Sequence, residues 1–171
     1  MWLALPFAWF WVCQQQRRIL RDGRSLSDEE RRDATAAGVV LPERIRLMVV
    51  AIVPTPGASL LRGLAAVTRF PLSPPAGMAL GHGIYLDERV SDSRSTFVHE
   101  CVHVAQYERL GGIRPFLRQY LEECLRESYW DSAMEAEANA VSARVCQRDC
   151  LSQATNSSRK RSGIGTVYAL C

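Results

Sequence analysis

The segment His99-Glu100-Cys101-Val102-His103 has the spacing HExxH, in which two histidines are separated by one helical turn. Residues i and i+4 lie on the same face of a helix, so both imidazoles can bind one metal ion. A zinc ion held in this way lowers the pKa of its water to about 7. Glu100, about 100° around the helix from His99, can accept a proton from that water. The pattern therefore predicts a zinc site with His99 and His103 as ligands and Glu100 as the general base.

The residues on both sides of the motif, from Phe97 to Tyr107, are almost all apolar, which is typical of a buried helix. Buried imidazole and carboxylate groups need partners, and a metal ion is one such partner. The chain has only three histidines, so this spacing is uncommon by chance. The alternative is a pair of core histidines that are hydrogen-bonded to carbonyl groups.

The motif and the residues after it, Val-Ala-Gln-Tyr-Glu-Arg-Leu-Gly-Gly, resemble the zincin metallopeptidases, in particular small bacterial HExxH proteins. The resemblance covers residues 78–142, less than half of the chain. The metzincin form HExxHxxGxxH does not fit, because Gln106 stands at the glycine position and no histidine follows His103. The segment Ala-Met-Glu-Ala-Glu-Ala-Asn-Ala is similar to the third-ligand helix of the gluzincin branch. The resemblance implies Glu135 as the third ligand and puts Asn139 where an aspartate is usual.

Helical periodicity leaves the third ligand open. If Met134, Ala138 and Val141 face the core, Glu135 and Glu137 flank that stripe on opposite sides, and either carboxylate can turn inward. Glu137 is therefore the alternative third ligand.

His82 is the rival third ligand, as the only histidine outside the motif. In zincins a strand before the HExxH helix binds the substrate backbone, which by analogy implies a substrate-binding role for residues 80–86. His82 would then face the cleft or stabilise an oxyanion, and Tyr85 would bind substrate. The alternative that His82 only forms part of a turn and has no functional role is equally open. The tyrosines that could donate to an oxyanion are Tyr85, Tyr107, Tyr120 and Tyr129.

The elements that must position these residues predict an α+β fold: a minimal zincin-like domain with a small sheet packed on the HExxH helix and a helix pair after it. Ser27 and Glu30 form a capping box for a helix over residues 28–37. Apolar, β-branched runs predict strands over residues 46–53 and 78–86, the second interrupted by Gly-His-Gly. Further helices are predicted over residues 59–68, from 92–95 to 110, and over 114–127 and 132–150.

The chain has 171 residues, of which 47% are hydrophobic, and a net charge of +3, which suits one globular domain and excludes a disordered chain. We divide it into an apolar N-terminal segment (1–24), a zincin-like domain (25–151) and a polar tail expected to be disordered (152–171). The six cysteines form no CxxC pair and are expected to be reduced.

The first thirteen residues are strongly apolar, with three tryptophans and two phenylalanines, and Arg17, Arg18 and Arg21 follow. This run is too short to span a bilayer, and aromatic residues followed by arginines suit an interfacial membrane anchor. The alternatives are a helix packed on the core and the end of a longer spanning helix. The arginine runs lack interleaved aromatics, so no nucleic-acid partner is expected.

The leading interpretation is a zinc-dependent metallopeptidase that acts on peptides or proteins. The alternative is a non-catalytic zinc-binding module that binds a protein or a membrane. A cytoplasmic or a membrane-associated location fits either interpretation.

Overall fold

The computed structural model describes residues 4–55, 74–127 and 132–162. Over these residues the chain is α+β, as predicted, with α-helices around one mixed sheet. The helix predicted over residues 59–68 and Tyr129 lie outside the described residues. The helices are α1 (Ala4–Asp22), α2 (Asp28–Ala36), α3 (Arg94–Leu110), α4 (Ile113–Glu127) and α5 (Ala133–Ser162), and the strands are β1 (Arg24–Ser25), β2 (Arg46–Val50), β3 (Gly77–Leu80) and β4 (Gly83–Asp87).

The described strands form a sheet in the order β1-β2-β4-β3. The central pair β2 and β4 is parallel, with Met48 opposite Tyr85, and both outer pairs are antiparallel. Every residue of β4 is buried, which suits a central strand covered on both faces. β3 is an edge strand and packs against α3, so one edge of the sheet lies beside the HExxH helix.

The single strand predicted over residues 78–86 is wrong, because the chain forms a hairpin there. β3 and β4 are antiparallel, and Leu80 pairs with Gly83 across a turn at Gly81 and His82. Gly81 has φ +62°, a left-handed conformation that glycine adopts without strain, and this conformation lets the chain reverse. The reversal places His82 at the tip of the hairpin.

Local signals predict the helix starts well. The capping box is confirmed: the Ser27 side chain accepts from the Glu30 backbone, and the Glu30 carboxylate accepts from the Ser27 backbone. α3 begins after Ser93, whose side chain caps it, and ends at Gly111 in the left-handed conformation. α5 continues to Ser162, beyond the predicted end at residue 150 and into the region expected to be a disordered tail.

The N-terminal segment is a helix packed on the core, one of the alternatives left open by the sequence. α1 contacts β2, β3, β4 and α4, and it buries Val12 and Ile19. Gly83 allows this close contact, because a Cβ atom there would lie 2.9 Å from the Ile19 side chain. None of the helices in the described part of the chain is long and apolar enough to cross a membrane.

Candidate metal centre

Three side chains from two helices meet at one point. The Nε2 atoms of His99 and His103 lie 3.1 Å apart on α3. Glu135, near the start of α5, lies with one carboxylate oxygen 3.4 Å from His99 Nε2 and the other 3.5 Å from His103 Nε2. These three residues can hold a metal ion. The residue that joins the two histidines is thus Glu135, and not Glu137 or His82.

The start of α5 is fixed by side chains that satisfy its free backbone groups. Ser132 lies at the cap position, where its side-chain oxygen accepts from the backbone N–H of Glu135. The Glu123 carboxylate on α4 accepts from both the Ser132 hydroxyl and the Met134 backbone N–H. Because these contacts anchor the first turn, the Glu135 carboxylate is directed at α3.

Opposite charges stabilise this group of three residues. Burial raises the pKa of the Glu135 carboxyl, but hydrogen bonds with His103 and His99 outweigh it and hold that pKa well below its usual range. Burial disfavours the charged His103 imidazole, but Glu135 and Glu100 outweigh it and raise the pKa of His103 to about 9. A divalent cation can take the place of that proton, since the site already places an anion beside two imidazoles.

Gln106 is a buried residue of the site and is not among the candidates predicted from the sequence. Its side-chain Nε2 donates to the Met134 carbonyl and to Glu137 Oε2, both at 3.0 Å. The carbonyl can only accept, so the Gln106 Oε1 atom faces His103 Nδ1 at 2.8 Å and accepts its proton. His103 Nε2 is thereby left free to bind a metal ion.

This arrangement corrects the expectation for Asn139. The resemblance puts Asn139 at the position of the residue that supports a ligand, but its side chain is exposed on α5. Gln106 supports His103 instead. The spacing from His103 to Gln106 is i to i+3, which puts both on one helix face, so the sequence did contain a signal for this contact.

We expect Gln106→Ala to weaken metal binding by about 10- to 100-fold, because the partners that orient a ligand histidine contribute this much to affinity. Asn139→Ala is the matched control and should leave the affinity unchanged. Competition with a chromogenic chelator, using Zn²⁺ as the probe, measures both. Equal affinities for the two variants would contradict the orienting role of Gln106.

Glu100 is buried beside the metal-binding group, between α3 and β3. The backbone of Ala79 hydrogen-bonds to its carboxylate, and burial raises the pKa of that carboxyl above its ordinary value. Gly77 is required for this packing, because a Cβ atom there would lie 2.7 Å from Glu100 Oε1. No local pattern in the sequence indicates a role for Gly77, since only the folded hairpin brings it to Glu100.

Glu137, the alternative third ligand, is held away from the histidines. Arg109 binds its carboxylate through two nitrogen atoms at 2.8 and 2.7 Å, and Gln106 donates to the same group. These contacts keep its pKa low. The hydrogen-bonded connection of Glu137 to His103 runs through Gln106.

The structure does not bring His82 or Tyr85 to the metal-binding group. His82 Nε2 lies 2.9 Å from Glu108 Oε1, beyond the motif on α3. The buried Tyr85 donates from its hydroxyl to Gln15 on α1. Of the other described tyrosines, Tyr107 lines the same cavity as the motif, and Tyr120 donates to Glu135 Oε1 at 2.7 Å.

A cavity of about 180 Å³ opens onto the site. Its polar side chains include His99, Glu100 and Glu135, and β3 contributes its residues along one side. Most of the remaining lining is apolar and comes from α1 and α4. The apolar lining residues of these two helices are Ala8, Trp11, Val12, Phe116, Leu117 and Leu121.

No family model, curated protein or solved structure matches this chain. In the part of the chain that the structure describes, Cys13, Cys101 and Cys124 form no disulfide. Cys101, inside the motif, is fully buried, and burial raises the pKa of its thiol well above the ordinary value. This environment is that of a small core residue rather than of a nucleophile.

Proposed function

We propose that the chain is a zinc-dependent hydrolase, most simply a metallopeptidase, with His99, His103 and Glu135 as ligands. One observation carries this proposal: the Nε2 atoms of His99 and His103 lie 3.1 Å apart, and each faces a different oxygen of the Glu135 carboxylate, at 3.4 and 3.5 Å. Ligands about 2.0–2.1 Å from zinc in a tetrahedral site are about 3.3 Å apart. The separation of the two imidazole nitrogens is close to this value, and one ligand atom from each of the three residues lies within 4.8 Å of the others.

The number of ligands supports a catalytic rather than a structural zinc site. Structural zinc sites have four protein ligands, whereas catalytic sites have three and leave one position for water. Among the described residues three donors converge, and the cavity lies beside them. A bound zinc ion would supply the Lewis acidity that lowers the pKa of water to about 7.

Glu100 is the residue proposed to move the proton. It lines the same cavity as the ligands, and its raised pKa suits a group that takes a proton from water and passes it to the leaving nitrogen. Its hydrogen bond with Ala79 holds the carboxylate in place during both transfers. Tyr120 keeps Glu135 oriented through its hydroxyl.

The edge strand β3 supports a peptide as the substrate. It lines the cavity along its whole length and lies at the edge of the sheet that the described residues form. An extended peptide can add to such an edge through main-chain hydrogen bonds, at the positions other than Ala79, whose backbone binds Glu100. The resemblance of the sequence to zincins points to the same substrate class. The proposed substrate-binding element is therefore the backbone of β3, in place of His82 and Tyr85.

The test combines metal content with activity. Elemental analysis should find about one zinc per chain, and the protein should cleave a fluorescein-labelled unfolded protein, lose this activity with a chelator and regain it with zinc. One zinc per chain without cleavage would favour the alternative, a non-catalytic zinc-binding module. Absence of zinc after reconstitution would contradict both the hydrolase and the zinc-binding module.

A further inference from the structure

α1 presents a face to solvent that the packing of the core does not explain. Phe7 is 70% exposed, Phe10 64% and Trp9 44%, and all three lie within the first turns of the helix. Large aromatic side chains in a cluster at the surface mark an interaction site more often than single exposed apolar residues do.

The same face becomes basic further along the helix. Phe10, Arg17 and Arg21 follow one another at intervals of seven and four residues, so they lie on one side of α1, opposite the buried Val12 and Ile19. α1 carries three arginines and one acidic residue, Asp22, which pairs with Arg21. The exposed side is therefore aromatic at one end and cationic at the other.

We propose that this face of α1 binds the surface of an anionic lipid bilayer. Aromatic rings are favourable at the depth of lipid headgroups, and arginines bind lipid phosphates. With a rise of about 1.5 Å per residue, Phe10 and Arg17 are about 10 Å apart along the axis. An interfacial helix lies in the plane of the membrane surface, so both groups can face the bilayer at the same time.

Charge complementarity favours a lipid surface over a second copy of the chain. A symmetric dimer joins the same patch on both subunits, so it needs a self-complementary surface. The exposed side of α1 offers cations, and its one acidic residue already binds Arg21. An anionic bilayer supplies negative charge for the arginines and an apolar interior for the aromatic side chains of this face.

Binding of this kind would bring the cavity close to the membrane. The other side of α1 contributes Ala8, Trp11 and Val12 to the cavity that contains His99 and Glu100. The lipid surface and the cavity would then lie on two sides of one helix, which favours substrates at the membrane surface. The membrane proposal needs no metal ion and so does not depend on the proposed hydrolase activity.

Vesicle flotation tests the proposal with the full chain. Protein is mixed with vesicles of phosphatidylcholine alone or of phosphatidylcholine with phosphatidylglycerol. We expect binding to the anionic vesicles, weakening with added salt and unchanged by a chelator. The double variant Phe7→Ser/Phe10→Ser should lose at least about tenfold in binding, because two large apolar side chains no longer insert. Arg17→Gln should lose about fivefold on anionic vesicles only.

The matched control is Val40→Ser/Ile52→Ser, which alters two apolar residues that are 75% and 64% exposed but lie outside α1. It should bind vesicles like the unaltered protein, and circular dichroism should show that all variants are folded. Equal binding by all variants, or no binding to anionic vesicles, would overturn the proposal. A dimer in solution that the Phe7→Ser/Phe10→Ser variant disrupts, without vesicle binding, would overturn it in favour of an interface between copies.

Discussion

Glu100→Gln is expected to keep about one zinc per chain and to lose about 10²- to 10⁴-fold in the rate of hydrolysis, the range that a positioned acid–base group contributes. Glutamine fills the same space beside Gly77 and can still bond to the β3 backbone, so the cavity keeps its shape. It cannot accept a proton from water at neutral pH. The loss should therefore appear in kcat, with little change in KM.

The matched control for this substitution is Glu122→Gln on α4, where an exposed carboxylate binds Arg118. It changes the net charge equally but lies outside the cavity, so the rate should stay at the level of the unaltered protein. Full activity of Glu100→Gln would remove Glu100 from the mechanism. Loss of zinc together with activity would show instead that Glu100 supports the ligands.

The local part of the site could be predicted from the sequence. His99, Glu100 and His103 lie within five consecutive residues, and helical geometry alone brings the two imidazoles together. The buried character of α3 follows from the apolar residues around the motif. The caps at Ser27, Ser93 and Gly111 are likewise local, because each depends on residues within one turn of the helix end.

Contacts between distant segments could not be predicted in this way. Glu137 is excluded as a ligand because its carboxylate binds Arg109. Arg109 lies on a different helix from Glu135 and Glu137, so this contact is not a local feature of the sequence. Periodicity placed the two acids symmetrically about the core stripe. The family resemblance implied Glu135, whereas the residues themselves left the choice open.

The roles expected for His82 and Tyr85 depended on the path of one strand. In a single strand over residues 78–86, both His82 and Tyr85 would lie beside the metal-binding group. The turn at Gly81 ends β3 instead, so the edge beside the metal-binding group consists of Gly77–Leu80, and Tyr85 lies in the central strand. A glycine–histidine–glycine sequence is compatible with a bulge and with a turn, and only the pairing of the strands decides between them.

Glu135→Gln is expected to reduce zinc affinity by more than about 100-fold, because it removes the anionic ligand itself, whereas removal of an outer partner costs about 10- to 100-fold. The glutamine can still accept from Tyr120, so the fold should persist in circular dichroism. Elemental analysis after dialysis should find little zinc, and hydrolysis should fall with it.

Glu137→Gln is the control that separates the two carboxylates. It has the same chemistry two residues along the same helix, but its carboxylate contacts Arg109 and Gln106 rather than the histidines. Its zinc content should therefore stay near one per chain, with at most the modest loss of affinity expected when the support of Gln106 is weakened. The opposite result, with zinc lost only in Glu137→Gln, would require α5 to turn about its axis and move Glu135 out of the site. Because Ser132 and Glu123 hold the first turn of α5, that rotation would have to break the hydrogen bonds at Met134 as well.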